Sequence, residues 1–158
     1  MSCDASTRAN ASESPKLVVM VNGVPGSMGL EVAAACLRRG FELCPVALSG
    51  TSSGPVTVPS EVAGGANHPA CTAADGQSGQ SGQSGQSIHR AEITLVPSGA
   101  GAEAALRECI DKLRAAGKRV VAIDYTHPSA VDGNGQLYLR LGLPFVMGTT
   151  GGDREALA

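Results

Sequence analysis

The chain has 158 residues, of which 42% are hydrophobic and 3% aromatic, with no Trp. This length and composition suit one domain with an aliphatic, Ala-rich core. The formal net charge is −2 and the basic residues are scattered, so no basic face is predicted for nucleic acid. No apolar run approaches the roughly 20 residues that span a bilayer. We therefore expect a soluble protein with neither a nucleic-acid nor a membrane partner.

The five cysteines form no CxxC pair and show no zinc-like spacing. Their odd number argues against a closed disulfide framework and favours a reducing compartment. No metal site is predicted. Cys36 and Cys109 fall on the apolar faces of predicted helices, where a free cysteine packs as a small hydrophobe.

Residues 1–15 open the chain and are polar and rich in Ser, Ala and Thr, which predicts a disordered head. An organellar transit peptide is the alternative interpretation, with Arg8 as the only basic residue in the segment. Residues 16–158 then form the predicted folded domain.

The first predicted element is a strand that runs into a glycine-rich turn, Leu17 to Gly29 (LVVMVNGVPGSMG). Its glycines, Gly23, Gly26 and Gly29, are spaced three apart, and an apolar helix follows from Leu30 until Gly40 stops it. Such a turn brings backbone amides and the positive end of the helix dipole towards a phosphate. A nucleotide is therefore the first ligand to consider, although a tight turn alone would also explain three glycines.

A second strand is predicted over Phe41–Leu48, with Pro45 tolerated only at an edge or a bulge. Residues 51–90 are rich in Gly, Ser and Pro and contain four tandem Gly-Gln-Ser triplets, which predicts a flexible insertion. Val56 and Val58 predict a short extra strand before these repeats.

The remaining predicted elements alternate between strand and helix, in the order Ile93–Val96, 101–116, Val120–Ile123, 129–141 and Pro144–Met147. Gly117 ends the first of these helices, and Ser129 is a candidate cap for the second. The alternation predicts an α/β fold of Rossmann type, a doubly wound and mostly parallel sheet with right-handed crossovers. Ligands bind such sheets at the carboxyl ends of the strands, so the loops 23–29, 124–128 and 148–152 are the candidate site.

Three motifs in these loops resemble the nucleotide-binding half of 4-hydroxy-tetrahydrodipicolinate reductase, long called dihydrodipicolinate reductase. They are VNGVPGSMG at 21–29, DYTHPSAV at 124–131 and GLPFVMGTTGGDR at 142–154. The last resembles the plant and algal branch more than the bacterial one. The similarity covers residues 16–50 and 92–154 and leaves the head and the repeats outside.

The resemblance implies a dinucleotide-binding domain over residues 16–158 that holds NADPH or NADH. Carried over by motif, the residues around the pyrophosphate would be Gly23, Val24, Pro25, Gly26, Ser27 and Met28. Thr126 would lie near the nicotinamide ribose. The loop lining the nicotinamide and the adjoining substrate pocket would be Gly148, Thr149 and Thr150, for which a simple turn-forming role is the alternative.

Full-length family members reduce 4-hydroxy-tetrahydrodipicolinate in lysine biosynthesis via diaminopimelate, and the resemblance implies that this chain supplies the cofactor half. A second domain would bind the dicarboxylate substrate through a paired-His and Lys motif and form a homotetramer. The chain ends at Ala158, so we expect this domain to be absent and the chain alone to be inactive. The resemblance implies the chloroplast stroma, with the cytoplasm as the alternative.

The chain departs from the family where Ser27 stands in place of a frequent Lys or Arg, and Pro25 removes a possible amide donor. After the second strand, where an NAD enzyme usually offers Asp or Glu, the chain has no acid. We therefore expect NADPH to be accepted at least as well as NADH, its 2′-phosphate taking hydrogen bonds from Ser49, Thr51 or backbone.

No catalytic residue is assigned within this chain. His127 precedes a proline at the candidate site and is better explained as an extended loop residue than as an acid or base. Asp124 would either orient a ligand or cap local amides. Two further alternatives stay open: another Rossmann-type NAD(P) oxidoreductase, and a non-catalytic nucleotide-binding fragment.

Overall fold

The computed structural model describes residues 15–60, 89–99, 101–153 and 155. The predicted head and the Gly-Gln-Ser repeats lie almost entirely outside these residues. Within them, the chain forms seven strands and three α-helices, with four of the strands in succession between α1 and α2. The strands are β1 (Leu17–Asn22), β2 (Glu42–Leu43), β3 (Val46–Ser49), β4 (Gly54–Pro59), β5 (Arg90–Pro97), β6 (Arg119–Asp124) and β7 (Phe145–Met147). The helices are α1 (Ser27–Arg38), α2 (Ala102–Ala115) and α3 (Val131–Arg140).

The strands form a four-stranded sheet in the order β2-β1-β6-β7 and a three-stranded sheet in the order β3-β5-β4. All pairs are parallel except β4 with β5. The two sheets adjoin, because the Gly23 amide at the end of β1 donates to the Leu48 carbonyl of β3 at 3.1 Å. The predicted α/β fold with a mostly parallel sheet is confirmed.

Side chains of β1 alternate between two apolar cores, one on each face of the sheet. Val18 and Met20 pack with α2 and α3, whereas Val19 and Val21 pack with α1. Helices therefore cover both faces, as a doubly wound sheet requires. The uninterrupted apolar run of β1 reflects this double burial.

The single strand predicted over Phe41–Leu48 is wrong, because the segment divides into β2 and β3. Proline has no amide to donate, and the chain changes partners at Pro45. The Cys44 amide still donates to Val19 of β1 at 2.8 Å, while the Pro45 carbonyl already accepts from Thr94 of β5 at 2.8 Å. One stretch of chain thus joins the two sheets.

Two smaller predictions had opposite outcomes. The extra strand at Val56 and Val58 is confirmed as β4. The predicted cap at Ser129 is wrong, because Ser129 lies inside a short 3-10 turn, Pro128–Ala130, that precedes α3. His127 caps this turn instead, with its Nδ1 accepting from the Ser129 amide at 3.2 Å.

Candidate functional site

The glycine turn is packed backbone against backbone. Gly23 has φ +98°, and a Cβ there would lie 2.5 Å from the carbonyl oxygen of Tyr125. A Cβ on Gly29 would lie 2.8 Å from the carbonyl carbon of Gly23. A side chain at Gly23 would push the turn away from the loop after β6, and one at Gly29 would push α1 away from the turn, so both close approaches need glycine.

The first turn of α1 presents free backbone amides. The Gly26 amide donates back to Gly23 at 2.8 Å, and its carbonyl accepts from Leu30 at 2.9 Å. No side chain caps the helix, its first turn holds no acid, and Gly26, Ser27 and Met28 are exposed. Uncapped amides at the positive end of a helix dipole are suited to an anion such as a phosphate.

A cleft of about 350 Å³ opens beside this helix start, at the carboxyl ends of β1, β3 and β6. It is lined by Gly23, Val24, Pro25, Ser49, Gly50, Ser52, Tyr125, Thr126 and His127. Five of the residues predicted from the sequence thus lie around one space. Gly26, Ser27 and Met28 adjoin it as the start of α1.

Two of the lining residues, Val24 and Ser49, present no free side-chain group to the cleft. Val24 is 1% exposed, so only its backbone faces the cleft, where it joins Pro25 through a cis peptide bond. The buried Ser49 hydroxyl donates to the Ser52 carbonyl and is therefore engaged within the turn. Thr51 and Ser52 are exposed.

The wall formed by Thr126 is held by the buried carboxylate of Asp124 at the end of β6. One carboxylate oxygen accepts from the Thr126 amide at 2.8 Å and from its hydroxyl at 2.5 Å. The other accepts from Asn134 Nδ2 at 3.0 Å and from the Tyr138 hydroxyl. Four donors compensate a fully buried charge, so the geometry favours capping of local groups over ligand orientation for Asp124.

The same network reaches the other side of the cleft through Asn22. Its Nδ2 donates to the Tyr138 hydroxyl at 2.7 Å, and its Oδ1 accepts from the Leu48 amide at 2.7 Å. Burial, with the adjacent charge of Asp124, raises the pKa of Tyr138 far above its ordinary value. The phenol therefore stays protonated and remains a donor.

The loop after β7 packs against the Thr126 segment. The Gly148 amide donates to the Asp124 carbonyl at 2.9 Å, and a side chain at Gly148 would collide with the Tyr125 ring. The buried Thr149 hydroxyl donates to the Thr126 carbonyl at 2.9 Å, whereas Thr150 is exposed. The structure thus brings all three predicted loops together, with the Thr149 hydroxyl occupied in holding them.

Sequence reasoning missed the network residues Asn22, Asn134 and Tyr138. The one signal of this network in the sequence was the polar Asn22 at the end of the apolar run of β1, since a buried amide needs hydrogen-bond partners. It also assigned no site role to Tyr125 and Ser52, both of which line the cleft.

A second cavity of about 460 Å³ lies between the starts of α2 and α3. The ion pair of Glu103 with Arg140, at 3.0 Å, stands at this cavity, and Ser98, Ser129 and Asn134 also line it. None of the site residues predicted from the sequence faces this space.

Two kinds of feature are absent from the described ranges. None of their helices has the length and apolar character of a membrane span. In the same ranges, no three His, Cys, Asp or Glu side chains are grouped to bind a metal ion.

A doubly wound parallel sheet with a glycine turn at its carboxyl edge defines the class, a Rossmann-type α/β domain. A family model described as "Dihydrodipicolinate reductase, N-terminus" matches residues 67–158, more than half of the chain. The chain belongs to this family, and the resemblance seen in the sequence is confirmed.

Relatives from plants extend the similarity to the glycine turn. A probable 4-hydroxy-tetrahydrodipicolinate reductase 2, chloroplastic, of Oryza sativa subsp. japonica is 34% identical over 139 residues, 88% of this chain and 33% of the relative. The 4-hydroxy-tetrahydrodipicolinate reductase 1, chloroplastic, of Arabidopsis thaliana is 32% identical over 139 residues, 88% of this chain and 30% of the relative. The chain spans about a third of the length of these relatives. Because 139 of 158 residues are aligned, the alignments include the glycine turn.

Proposed function

We propose that this chain binds NADPH or NADH along the cleft and supplies the cofactor half of a 4-hydroxy-tetrahydrodipicolinate reductase. The observation that carries the proposal is the glycine turn, which leads straight into an uncapped helix with exposed residues at its start. Free backbone amides beside a cleft at the carboxyl edge of a parallel sheet fit a pyrophosphate. Family membership supports the same ligand class.

The residues present fit this cofactor. The free amides of Ser27 and Met28, next to Gly26, would hold the pyrophosphate beside Gly23, Val24 and Pro25. Thr126, fixed by Asp124, would face the nicotinamide ribose, and the loop of Gly148, Thr149 and Thr150 would border the nicotinamide. When bound, the cofactor supplies a hydride. The chain's own residues bind it and orient it, and we assign none of them the role of proton donor.

The end of β3 supports acceptance of NADPH. Among the described residues that line the cleft, none carries a carboxylate. A carboxylate there would repel a 2′-phosphate, whereas the amides and hydroxyls at Gly50, Thr51 and Ser52 are able to hydrogen-bond to it. We expect NADPH to bind at least as tightly as NADH, with a modest difference because the lining residues include no Arg.

Ser27→Lys tests the placement of the pyrophosphate by restoring a positive charge at the start of α1. An exposed charge pair contributes about 1 kcal/mol, so we expect NADPH to bind roughly fivefold more tightly, with the gain shrinking at high salt. Calorimetric titration with NADPH and NADH measures both affinity and preference.

Gln136→Lys is the matched control, because it adds the same charge on the exposed side of α3. Equal gains in the two variants would show only a general charge effect and contradict the placement. Tighter binding of NADH than of NADPH would contradict the expected preference.

The activity of the whole protein is part of this proposal. The relatives are named for reduction of 4-hydroxy-tetrahydrodipicolinate and as chloroplastic, and we propose the same substrate, a place in lysine biosynthesis and a chloroplast location for this protein. The dicarboxylate substrate would be bound with a further domain, as the relatives' greater length allows. A homotetramer is the assembly we expect of the full-length form.

A further inference from the structure

Cys44 and Cys109 meet at the junction of the sheet and α2, although 65 positions separate them in the chain. Their Sγ atoms lie 3.7 Å apart, in hydrogen-bonding contact. Cys44 is 1% exposed, whereas Cys109 is half-buried on the helix. The core packing expected of Cys109 is confirmed, but its contact with a second thiol was invisible in the sequence.

The backbone holds the two thiols in this contact. Cys44 lies in the link between β2 and β3, where its amide donates to Val19 of β1. Cys109 lies in the middle of α2, which packs against β3, β5 and β6. A disulfide needs the two Sγ atoms to lie about 2.05 Å apart. Only a short movement of these atoms towards each other is therefore required.

The two thiols differ in acidity. The hydrogen bond from Cys44 lowers the pKa of Cys109 to about 7, with Lys112 adding to the effect and burial and Glu108 opposing it. The hydrogen bond to Cys109, burial and the charge of Glu42 raise the pKa of Cys44. Cys109, which is also the more exposed of the two, is therefore the thiol that ionises more readily, and Cys44 is the one that holds its proton more firmly.

We propose that Cys44 and Cys109 form a redox-active dithiol that exchanges with small organic disulfides. The Cys109 thiolate attacks one sulfur of the disulfide, forms a mixed disulfide and releases one thiolate. Cys44 then attacks the Cys109 sulfur and passes its proton to the departing thiolate, which forms the internal disulfide and releases the second organic group as a thiol. Two protein thiols are oxidised, and one organic disulfide is reduced to two thiols.

This site is separate from the proposed cofactor cleft. Neither cysteine lines the cleft. The carboxyl end of β3, at Ser49, faces the cleft, whereas Cys44 precedes the opposite, amino end of that strand. An internal disulfide would tie the β2–β3 link covalently to α2. The inference does not rest on the proposed function.

The test uses the 158-residue chain carrying Cys3→Ser, Cys36→Ser and Cys71→Ser, which retains only the pair. We expect oxidised glutathione to give an internal Cys44–Cys109 disulfide, seen by intact mass and, after unfolding in denaturant, by protection of both residues from alkylation. Adding Cys44→Ser should trap a stable mixed disulfide on Cys109, and adding Cys109→Ser should abolish the reaction. Mixed disulfide without an internal bond in the chain that retains both cysteines would overturn the proposal.

A second measurement separates the pair from an ordinary exposed thiol. Cys44→Ala removes the hydrogen-bond donor, so we expect Cys109 to be alkylated about tenfold more slowly at pH 7. Cys44→Ser retains a donor and should keep the fast rate. Far-UV circular dichroism verifies that each variant folds. Equal rates for the Ala and Ser variants would contradict activation of Cys109 by Cys44.

Discussion

Gly23 is constrained twice, by its dihedral angle and by its neighbours. Its φ of +98° is one that residues with a side chain rarely adopt, and the Tyr125 carbonyl occupies the place of a Cβ. Gly133 differs on both counts, because it lies in α3 with open space where a Cβ would stand. Comparing Gly23 with Gly133 therefore distinguishes a glycine that the site requires from an ordinary glycine in a helix.

Gly23→Ala should lower the free energy of unfolding by about 2–5 kcal/mol, through backbone strain and overpacking. Gly133→Ala should raise it by about 0.5–1 kcal/mol, because alanine loses less conformational entropy in a helix. Urea unfolding of both variants measures the difference. A Gly23→Ala protein as stable as the unmodified chain would show that the turn relaxes freely.

At the scale of elements, one buried network joins β1, β3, β6 and α3. Asn22 ends β1, accepts from the Leu48 amide of β3 and donates to Tyr138 of α3, which in turn donates to Asp124 of β6. Buried polar groups of this kind are costly when a partner is removed. The network therefore sets how the strand ends are placed around the cleft.

Tyr138→Phe should destabilise the chain by about 1–3 kcal/mol, because it leaves a buried Asn22 N–H group unpaired and removes a donor from Asp124. Tyr125→Phe is the control, since that ring stands at the cleft and not within the network. It should change stability by less than about 0.5 kcal/mol. Equal effects in urea unfolding would argue against a structural role for the Tyr138 hydroxyl.

The elements were largely predictable because their signals are local. Apolar runs marked β1, β5 and β6, and glycines after the helices marked their ends. The division at Pro45 was harder, because a proline shows where a donor is missing but not which strand takes over the pairing. The capping of the turn at Pro128 by His127 depended on a side-chain orientation that residue type alone does not specify.

At the scale of the whole molecule, the proposed reaction needs more than this cleft. The cleft offers amides and hydroxyls for a cofactor, and the relatives are about three times as long as this chain. A catalytic proton donor typically contributes about 10²- to 10⁴-fold. Cofactor binding and catalytic turnover should therefore be separable by experiment.

A chimera tests this separation by joining residues 15–158 to the remaining part of the Arabidopsis thaliana reductase. We expect NAD(P)H-dependent reductase activity from the chimera, and a rate at least about a hundredfold lower from the 158-residue chain alone. A coupled assay that generates the substrate in place measures both. A folded chimera that binds NADPH without turnover, or comparable rates for the two proteins, would contradict the proposal.

The amino-acid sequence was enough to predict the class of fold, the glycine turn and the three loops that meet at the site, because the strand ends of a parallel sheet gather at one edge whatever the details of packing. The contacts that hold those loops together became visible only in the folded chain. The Asp124 network, the inward Thr149 hydroxyl and the contact of Cys44 with Cys109 join residues far apart in the chain. Such contacts depend on how the helices pack against the sheet, and no local sequence pattern encodes them.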